Sequence, residues 1–531
     1  MPEPVDIVDW LLPPDERGNA QTRIDAAHEG RAWSERNAVR PLIHGATYFA
    51  ELYERIEAMV AGDFLAFTDW QGDADERLTA EPGSEVLAVL GRAAERGVDV
   101  RGLVWHSHAS VAIDAEGDNA EFAARLRARG VEAWLDMRVR KRGSHHQKLV
   151  VLRHRDDPTR DVAFVGGIDL CHSRRDDEQH GGDPQSDEMA TEYGATPPWH
   201  DVQAEIAGPA VHDVETVFRE RWEDPAPLDG SPRRWRLRRT TPPGLTPSPS
   251  RLPPQLPPPP PVPGGAHVVQ LLRTYPQLPS RHDYPFAEGG ERSVARGYTR
   301  AIEHARRLVY VEDQYLWGRH VGRMFTTALE RHRDLFIIGV VPLYPNLEGV
   351  LGRLPQLEGR RRAMQDLVRI APDRVAVYGL ENHAGTPVYV HAKTCVIDDT
   401  WTTIGSDNFN RRSWTHDSEL SAVVVDRDGD YGRRLRLTLA AEHLDRAAAD
   451  LSDVTADCLE PEDMFATFAS SAARLDAWHE GGSIGPRPAG RLRSIKPPEL
   501  GPWARAVAAA PYTLLHDPDG RPRRLRRTDD F

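Results

Sequence analysis

Lysine is scarce in this 531-residue chain: only Lys141, Lys148, Lys393 and Lys496 occur among 67 basic residues, and the rest are arginine. Cysteine is scarcer still. Cys171, Cys395 and Cys458 are too few and too scattered for a disulfide framework or a zinc cluster, and Cys395 is expected to pack in the core. No apolar run approaches the roughly 20 residues that span a bilayer, and no H-E-x-x-H or Cys-rich ligand set is present, so neither metal nor cofactor is expected. The opening MPEPVDIVDWLLPPDERG has neither the basic nor the apolar region of a secretory signal. Excess positive charge is missing too: the net charge of −14 argues against non-specific binding to nucleic acid, which depends on basic residues. A cytoplasmic or peripheral membrane protein is expected, with export independent of a signal peptide still compatible. The length allows two or three ordinary domains or one large duplicated unit.

Against this background, two of the four lysines stand two residues after a histidine. One pair is His391 and Lys393 in VYVHAKTCVIDDTWTTIGSDNFN (388–410), and the other is His146 and Lys148 in SHHQKLVVL. On a strand, residues two apart share a face, so each imidazole lies beside its ammonium. The second motif reads H-x-K-x4-D, ending at Asp398, and is followed by the turn Gly405-Ser406-Asp407-Asn408. An imidazole and a compact, mobile cation beside a tight Gly/Ser/Asn turn make a phosphate site. The first motif leads into Gly166-Gly167-Ile168-Asp169, which answers that turn. It departs in one place: Arg153 stands where the second copy has Asp398, and Asp156, Asp157 or Asp161 of the longer hairpin is a candidate replacement.

The motifs sit in matched surroundings. In the first half a helix (46–60) leads to a strand (64–70), then helix (84–96), strand (98–105), helix (119–129), strand (131–136) and the strand of His146. In the second half a helix (292–306) leads to a strand (308–312), then helix (321–331), strand (335–341), helix (356–370), strand (374–378) and the strand of His391. From Phe64 to His146 is 82 residues, and from Leu308 to His391 is 83. Alternating strands and helices at this spacing predict an α/β protein of two similar α/β/α repeats with mixed, mainly parallel sheets. The expected parts are an N-terminal repeat (30–230), a basic and proline-rich linker or loop (231–266), a C-terminal repeat (267–450) and an extension of unassigned role (451–531). The stretch 241–265 is too proline-dense to enter a core and reads as a semi-rigid spacer or surface loop.

Taken together, the paired H-x-K motifs, each followed by a G-G/S-x-D/N turn, resemble the phospholipase D superfamily. AFVGGIDLCHSRRDD (163–177), PWHDVQAEIAGPAV (198–211), VYVEDQYLW (309–317) and GSDNFNRRSW…SEL (405–420) resemble its phosphatidylcholine-type branch. The resemblance covers roughly residues 30–450 and implies that the two repeats pack as one bilobal phospholipase D-like unit, with the two histidines meeting between the halves across a pseudo-twofold axis. It also implies a metal-independent phosphodiesterase acting on glycerophospholipids at a membrane surface. His146 would attack phosphorus to give a phosphohistidine; His391 would protonate the leaving alcohol and then activate water, or a second alcohol for transphosphatidylation. The chemistry fits, because imidazole titrates near neutrality and serves as base or acid by turns. Lys148, Lys393 and Asn408 would hold the non-bridging oxygens, and Gly166, Gly167, Gly405 and Ser406 would shape the turns. Asp398 is expected to orient neighbours by hydrogen bonding, Glu419 to orient a histidine, and Asp169 to do the equivalent for the first turn. Asp201 reads as a structural hydrogen-bonder.

A chain carrying both motifs is expected to act as a monomer. The other readings are a nuclease or a cardiolipin-synthase-like phosphatidyltransferase with the same site, or a catalytically silent lipid-binding scaffold, the last motivated by Arg153. The acidic charge disfavours the nuclease and the lack of membrane-spanning helices disfavours the synthase. The run Arg233–Arg239 and the tail Arg521–Arg527 read as solvated basic stretches, with anionic headgroups as the alternative partner. Segment 178–198 reads as a surface loop, either a lid over the site or a passive insertion.

Overall fold

The β-branched runs that mark the expected strands are buried along their length, as strands covered on both faces must be. In a computed structural model of the chain, residues 6–107, 115–228, 249–278, 283–316, 318–347, 349–426, 428–446, 455–526, 528 and 530–531 are described. The first half contains β1 (Ser34–Ile43), β2 (Phe64–Asp69), β3 (Asp99–Trp105), β4 (Glu132–Asp136), β5 (Leu149–Arg153), β6 (Val162–Gly166), β7 (Trp199–His200) and β8 (Val202–Ala207). The second contains β9 (His267–Tyr275), β10 (Glu291–Arg292), β11 (Leu308–Asp313), β12 (Phe336–Val340), β13 (Val375–Glu381), β14 (Pro387–Val390), β15 (Lys393–Ile397), β16 (Trp401–Gly405) and β17 (Glu419–Val425), with β18 (Leu492–Ser494) from the C-terminal region.

The duplication is literal. The first sheet runs β4-β3-β2-β5-β6-β8-β1 and the second runs β13-β12-β11-β15-β16-β17-β9. Helices Val86–Glu95 and Ala115–Ala128 make the crossovers of one half, and Arg319–Arg331 and Gly349–Ile370 those of the other. The α/β class and the repeat match the sequence. The balance of strand directions does not, because each sheet has two parallel pairs and four antiparallel ones. After its third parallel strand each half makes no further helical crossover between neighbouring parallel strands; β5–β6 and β15–β16 are hairpins, whose short turns can only return the chain antiparallel.

The two sheets join where β1 meets β9, pairing Ser34 with Val269 and Asn37 with His267 across an irregularity. One buried apolar cluster draws on both halves, from Val39, Ala66 and Val151 to Leu271, Tyr310 and Val396. A second seam, β7 against β14, pairs Tyr389 with Trp199 and Val390 with His200 in parallel.

Two expectations change at the level of segments. The described part of the proline stretch is not a free spacer. Leu252 is buried in the shared core, Trp222 Nε1 donates to the Ser250 carbonyl (2.9 Å), and Arg219 donates to that of Pro253 (2.7 Å). Proline carbonyls are free acceptors in an extended chain, so two buried arginines take them: Arg219 of helix Ala210–Trp222 that of Pro253 and Arg153 of β5 that of Pro257. The run Arg233–Arg239 and residues 241–248 lie outside the described residues, as does Arg527 of the basic tail. The region after residue 450 is also more ordered than its pattern suggests. Helix Pro461–Glu480 packs on the second sheet, β18 extends its β13 edge, and Asp517 accepts from the Arg412 amide (3.0 Å). Among the described residues no helix is long and apolar enough to cross a membrane.

Candidate active site

His146 lies just before β5 and His391 just before β15, the matching strands of the two halves, and each is fastened by the opposite half. The His146 amide donates to the Ser418 carbonyl (2.9 Å), and the His391 amide to that of His200 (2.8 Å). Nδ1 of His146 lies 2.8 Å from Oε2 of Glu419, the first residue of β17. Nδ1 of His391 lies 2.7 Å from Oδ2 of Asp201, which immediately precedes β8. Because Gly166 pairs with Gln203 and Gly405 with Ser421, Asp201 and Glu419 hold equivalent places in the two sheets. The Glu419 expectation therefore has its geometry. Asp201 is more than the structural hydrogen-bonder expected from the sequence: it is the counterpart of Glu419, and aligning the repeats two residues before those pairings would have found it.

A carboxylate on Nδ1 fixes the tautomer and leaves Nε2 as the reactive nitrogen. Among the described residues neither Nε2 has a hydrogen-bond partner, while the side chains are only 15% and 7% exposed. Burial, reinforced by the lysine charges, holds both imidazoles well below their usual range; for each histidine those charges include the lysine of the opposite half. Burial also pushes the Asp201 carboxyl up and raises Glu419 to about 7, against the pull of Ser406 and Lys148. Each His–carboxyl pair is thus drawn toward its neutral form.

The lysines are buried alongside. Lys148 Nζ donates to the His146 carbonyl (3.1 Å) and lies 3.4 Å from Asp169 Oδ1, which also accepts from the Trp70 amide (2.9 Å). Lys393 Nζ donates to the His391 carbonyl and to Gln314 Oε1 (3.4 Å), and burial lowers it to about 8. In the second turn Ser406 Oγ donates to Glu419 Oε2 (2.6 Å), so it braces the carboxylate that orients His146. Asn408 is buried, and its Oδ1 has no partner. The glycines have a steric reason. A Cβ on Gly167 would collide with the Asp201 carboxylate and one on Gly405 with Ser421, so the sheet could not close around either. Gly166 is likewise closed in by Gln203.

Asp398 is the residue whose expected place changes. It lies past the far end of β15, five residues or about 16 Å of strand from Lys393. There it accepts from the backbone amides of Arg306 (2.7 Å), Arg307 (2.9 Å) and Leu308 (2.8 Å), pinning the start of β11. Its carboxylate is taken up by these amides, away from the histidines. In the first motif Arg153 occupies that place with its guanidinium bonded to Asp161 (2.7 Å), Glu215 and the Pro257 carbonyl. Of the three candidate aspartates, Asp161 is the one that meets this position, as a partner to Arg153.

Aromatic walls complete the site. Trp199 lies 4.8 Å from the His391 ring and carries the Arg174 guanidinium on its face at 4.1 Å; Trp70 meets His146 edge-on at 6.3 Å. Nothing in the motif spacing pointed to these residues. Within segment 178–198, His180 and Tyr193 are fully buried, so part of that loop is packed structure.

Comparison with known proteins gives a consistent picture. A family model described as phospholipase D matches residues 59–239, and one described as cardiolipin synthase, PLD-like domain, matches residues 356–435; each contains one of the H-x-K motifs. Phospholipase D alpha 2 of Oryza sativa subsp. japonica is 26% identical over 466 residues, covering 64% of this chain and 55% of that protein. Phospholipase D alpha 4 of Arabidopsis thaliana is 24% identical over 485 residues, covering 73% of this chain and 61% of that protein. The chain spans little more than half the length of these relatives. The crystal structure of phosphatidylserine synthase from Haemophilus influenzae shares the fold, with a TM-score of 0.51 at 14% identity over 87% of this chain and all of that one.

Proposed function

The chain belongs to the phospholipase D superfamily, and on that premise we propose that it cleaves the headgroup phosphodiester of glycerophospholipids at a membrane surface through a phosphohistidine. The observation that carries this reading is the reciprocal arrangement of the histidines, each with Nδ1 on a carboxylate of the other half and Nε2 unpartnered. In the first step His146 Nε2 attacks phosphorus while His391, which must enter the step carrying a proton on Nε2 with Asp201 on its Nδ1, delivers that proton to the departing alcohol oxygen. In the second, His391 removes a proton from water or an acceptor alcohol, which displaces His146 from phosphorus. Lys148, Lys393 and the Asn408 amide group would hold the equatorial oxygens, where charge accumulates in the transition state. Which histidine is the nucleophile rests on the order of motifs in the family. The site chemistry is the same for water and for an alcohol, so hydrolysis and phosphatidyl transfer are separated by the acceptor supplied.

The test is choline release from phosphatidylcholine micelles containing ethanol, for wild type, His146→Ala and His391→Ala. Choline and phosphatidylethanol from the wild type are expected. His146→Ala should lose at least about 10⁴-fold and His391→Ala about 10²–10⁴-fold. A folded wild type that releases no choline would remove the choline-lipid assignment and turn attention to other phosphodiesters. Activity surviving either substitution would remove the two-histidine mechanism itself.

A further inference from the structure

Behind His391, on the side of β7, lies a second buried group of imidazoles and carboxylates that the phosphodiesterase reading does not use. Suitable donor atoms of His44, His180, His200 and Glu442 all lie within 4.8 Å of one another. Nε2 of His44 is 2.8 Å from Glu442 Oε2, Nε2 of His180 is 2.9 Å from Oε1, and Nδ1 of His200 is 3.7 Å from Oε1. The residues come from four separate segments of both halves: His44 precedes helix Gly45–Glu57, His180 is in the loop, His200 is in β7, and Glu442 is on helix Asp430–His443.

We propose that these four side chains form a closed four-coordinate site for a divalent transition metal of the zinc class, which pins the seam between the halves next to His391. Three imidazoles and one carboxylate at this spacing suit a tetrahedral, redox-inert ion, and four protein ligands leave no open position for chemistry. The surroundings are those of a ligand set. The far nitrogen of His200 (Nε2) meets Glu312 Oε2 at 2.6 Å, the carboxylate–histidine arrangement that orients a metal-bound imidazole. The far nitrogen of His180 (Nδ1) faces the Trp199 carbonyl at 3.2 Å.

A purely hydrogen-bonded network accounts for less. Glu442 has one oxygen for His44 and the other for His180, and Nδ1 of the fully buried His200 is left with no partner. In the neutral tautomer that gives its Nε2–H to Glu312, that nitrogen presents a lone pair toward Glu442 across 3.7 Å. Two acceptors facing each other in a buried space cost free energy that a cation between them removes. His44 and His180 also hold positive φ angles of 70° and 54°, which a non-glycine residue adopts at a cost when something fixes it there.

The ion would act on the phosphate site by position alone. His200 accepts the amides of His391 (2.8 Å) and Ala392 (3.2 Å) on its carbonyl, its neighbour Asp201 orients the His391 ring, and the His44 amide donates to the Asp201 carbonyl (2.9 Å).

The experiment needs no lipid substrate and is therefore independent of the phosphodiesterase reading. Elemental analysis of the full chain should find stoichiometric zinc; dipicolinate should remove it with a fall in Tm, and added zinc should restore both. Cobalt(II) in the stripped protein should give the visible d–d bands of a tetrahedral site. Those bands should be lost in Glu442→Gln and His180→Asn, while Glu312→Gln should keep them with cobalt affinity reduced about 10–100-fold. A stripped wild type that binds no zinc or cobalt and whose Tm ignores both would overturn the proposal, even if the variants fail to fold. Bands that persist unchanged in both ligand variants would also overturn it, by placing the metal elsewhere.

Discussion

Two residues at the phosphate site are held near the edge of their usable charge states. In the proposed mechanism Glu419, raised to about 7, must be ionised to orient and support His146, and Lys393, lowered to about 8, must stay protonated to hold phosphate oxygens. A narrow bell-shaped profile of kcat/KM is therefore expected, rising near 7 and falling near 8 as macroscopic values of a coupled site. Glu419→Gln should abolish the rising limb and reduce kcat by about 10²–10⁴-fold. The same shift has a stability sign. A carboxyl whose pKa is higher in the fold than in the unfolded chain binds more protons when folded, so stability falls as pH rises from about 4.5 to 7. Glu419→Gln should thus raise Tm more at pH 8 than at pH 5. A Tm difference that does not depend on pH would remove the assignment of the buried charge.

At the scale of elements, the motif strand β15 serves two tasks at opposite ends. His391 and Lys393 face the site, while Asp398 holds three backbone amides at the start of β11. Asp398→Ala should cost about 2 kcal/mol of stability, since three backbone donors, one of them on the buried Leu308, lose their acceptor, yet leave kcat of the folded enzyme within about twofold of wild type because the site is distant. Urea unfolding and kinetics on the same preparation check this, and a hundredfold drop in kcat would return Asp398 to the chemistry. The first motif already makes the exchange: Arg153 fills the place with ion pairs to Asp161 and Glu215. The H-x-K core of the motif was legible because the pair recurs in both halves of a chain with only four lysines. The final aspartate could not be assigned from spacing, since x4 along a strand says nothing of what the far end touches.

Over the whole molecule, the halves share a core cluster and the β1–β9 pairing, and each supplies the carboxylate for the other's histidine. Calorimetry should show one cooperative transition with calorimetric and van't Hoff enthalpies in a ratio of about 1; two resolved transitions would mean that the halves are coupled only weakly. The order of strands and helices around each motif was readable from the sequence, because strands buried on both faces require continuous β-branched runs and amphipathic helices require their own period. The strands at the seam were not. β1 is SERNAVRPLI, half polar, and its place is set by partners far along the chain.

The sequence by itself thus determined the α/β class, the duplication, and the two H-x-K motifs with their glycine turns, all local patterns whose spacing reflects the strand period. Only the tertiary structure decided which carboxylate serves which histidine, that Asp398 belongs to the fold, that the proline stretch packs against the first half, and that His44, His180, His200 and Glu442 converge. Those facts depend on contacts between residues from 28 to 398 positions apart. Such contacts are created when the chain folds back on itself, and no short stretch of sequence carries a mark of them.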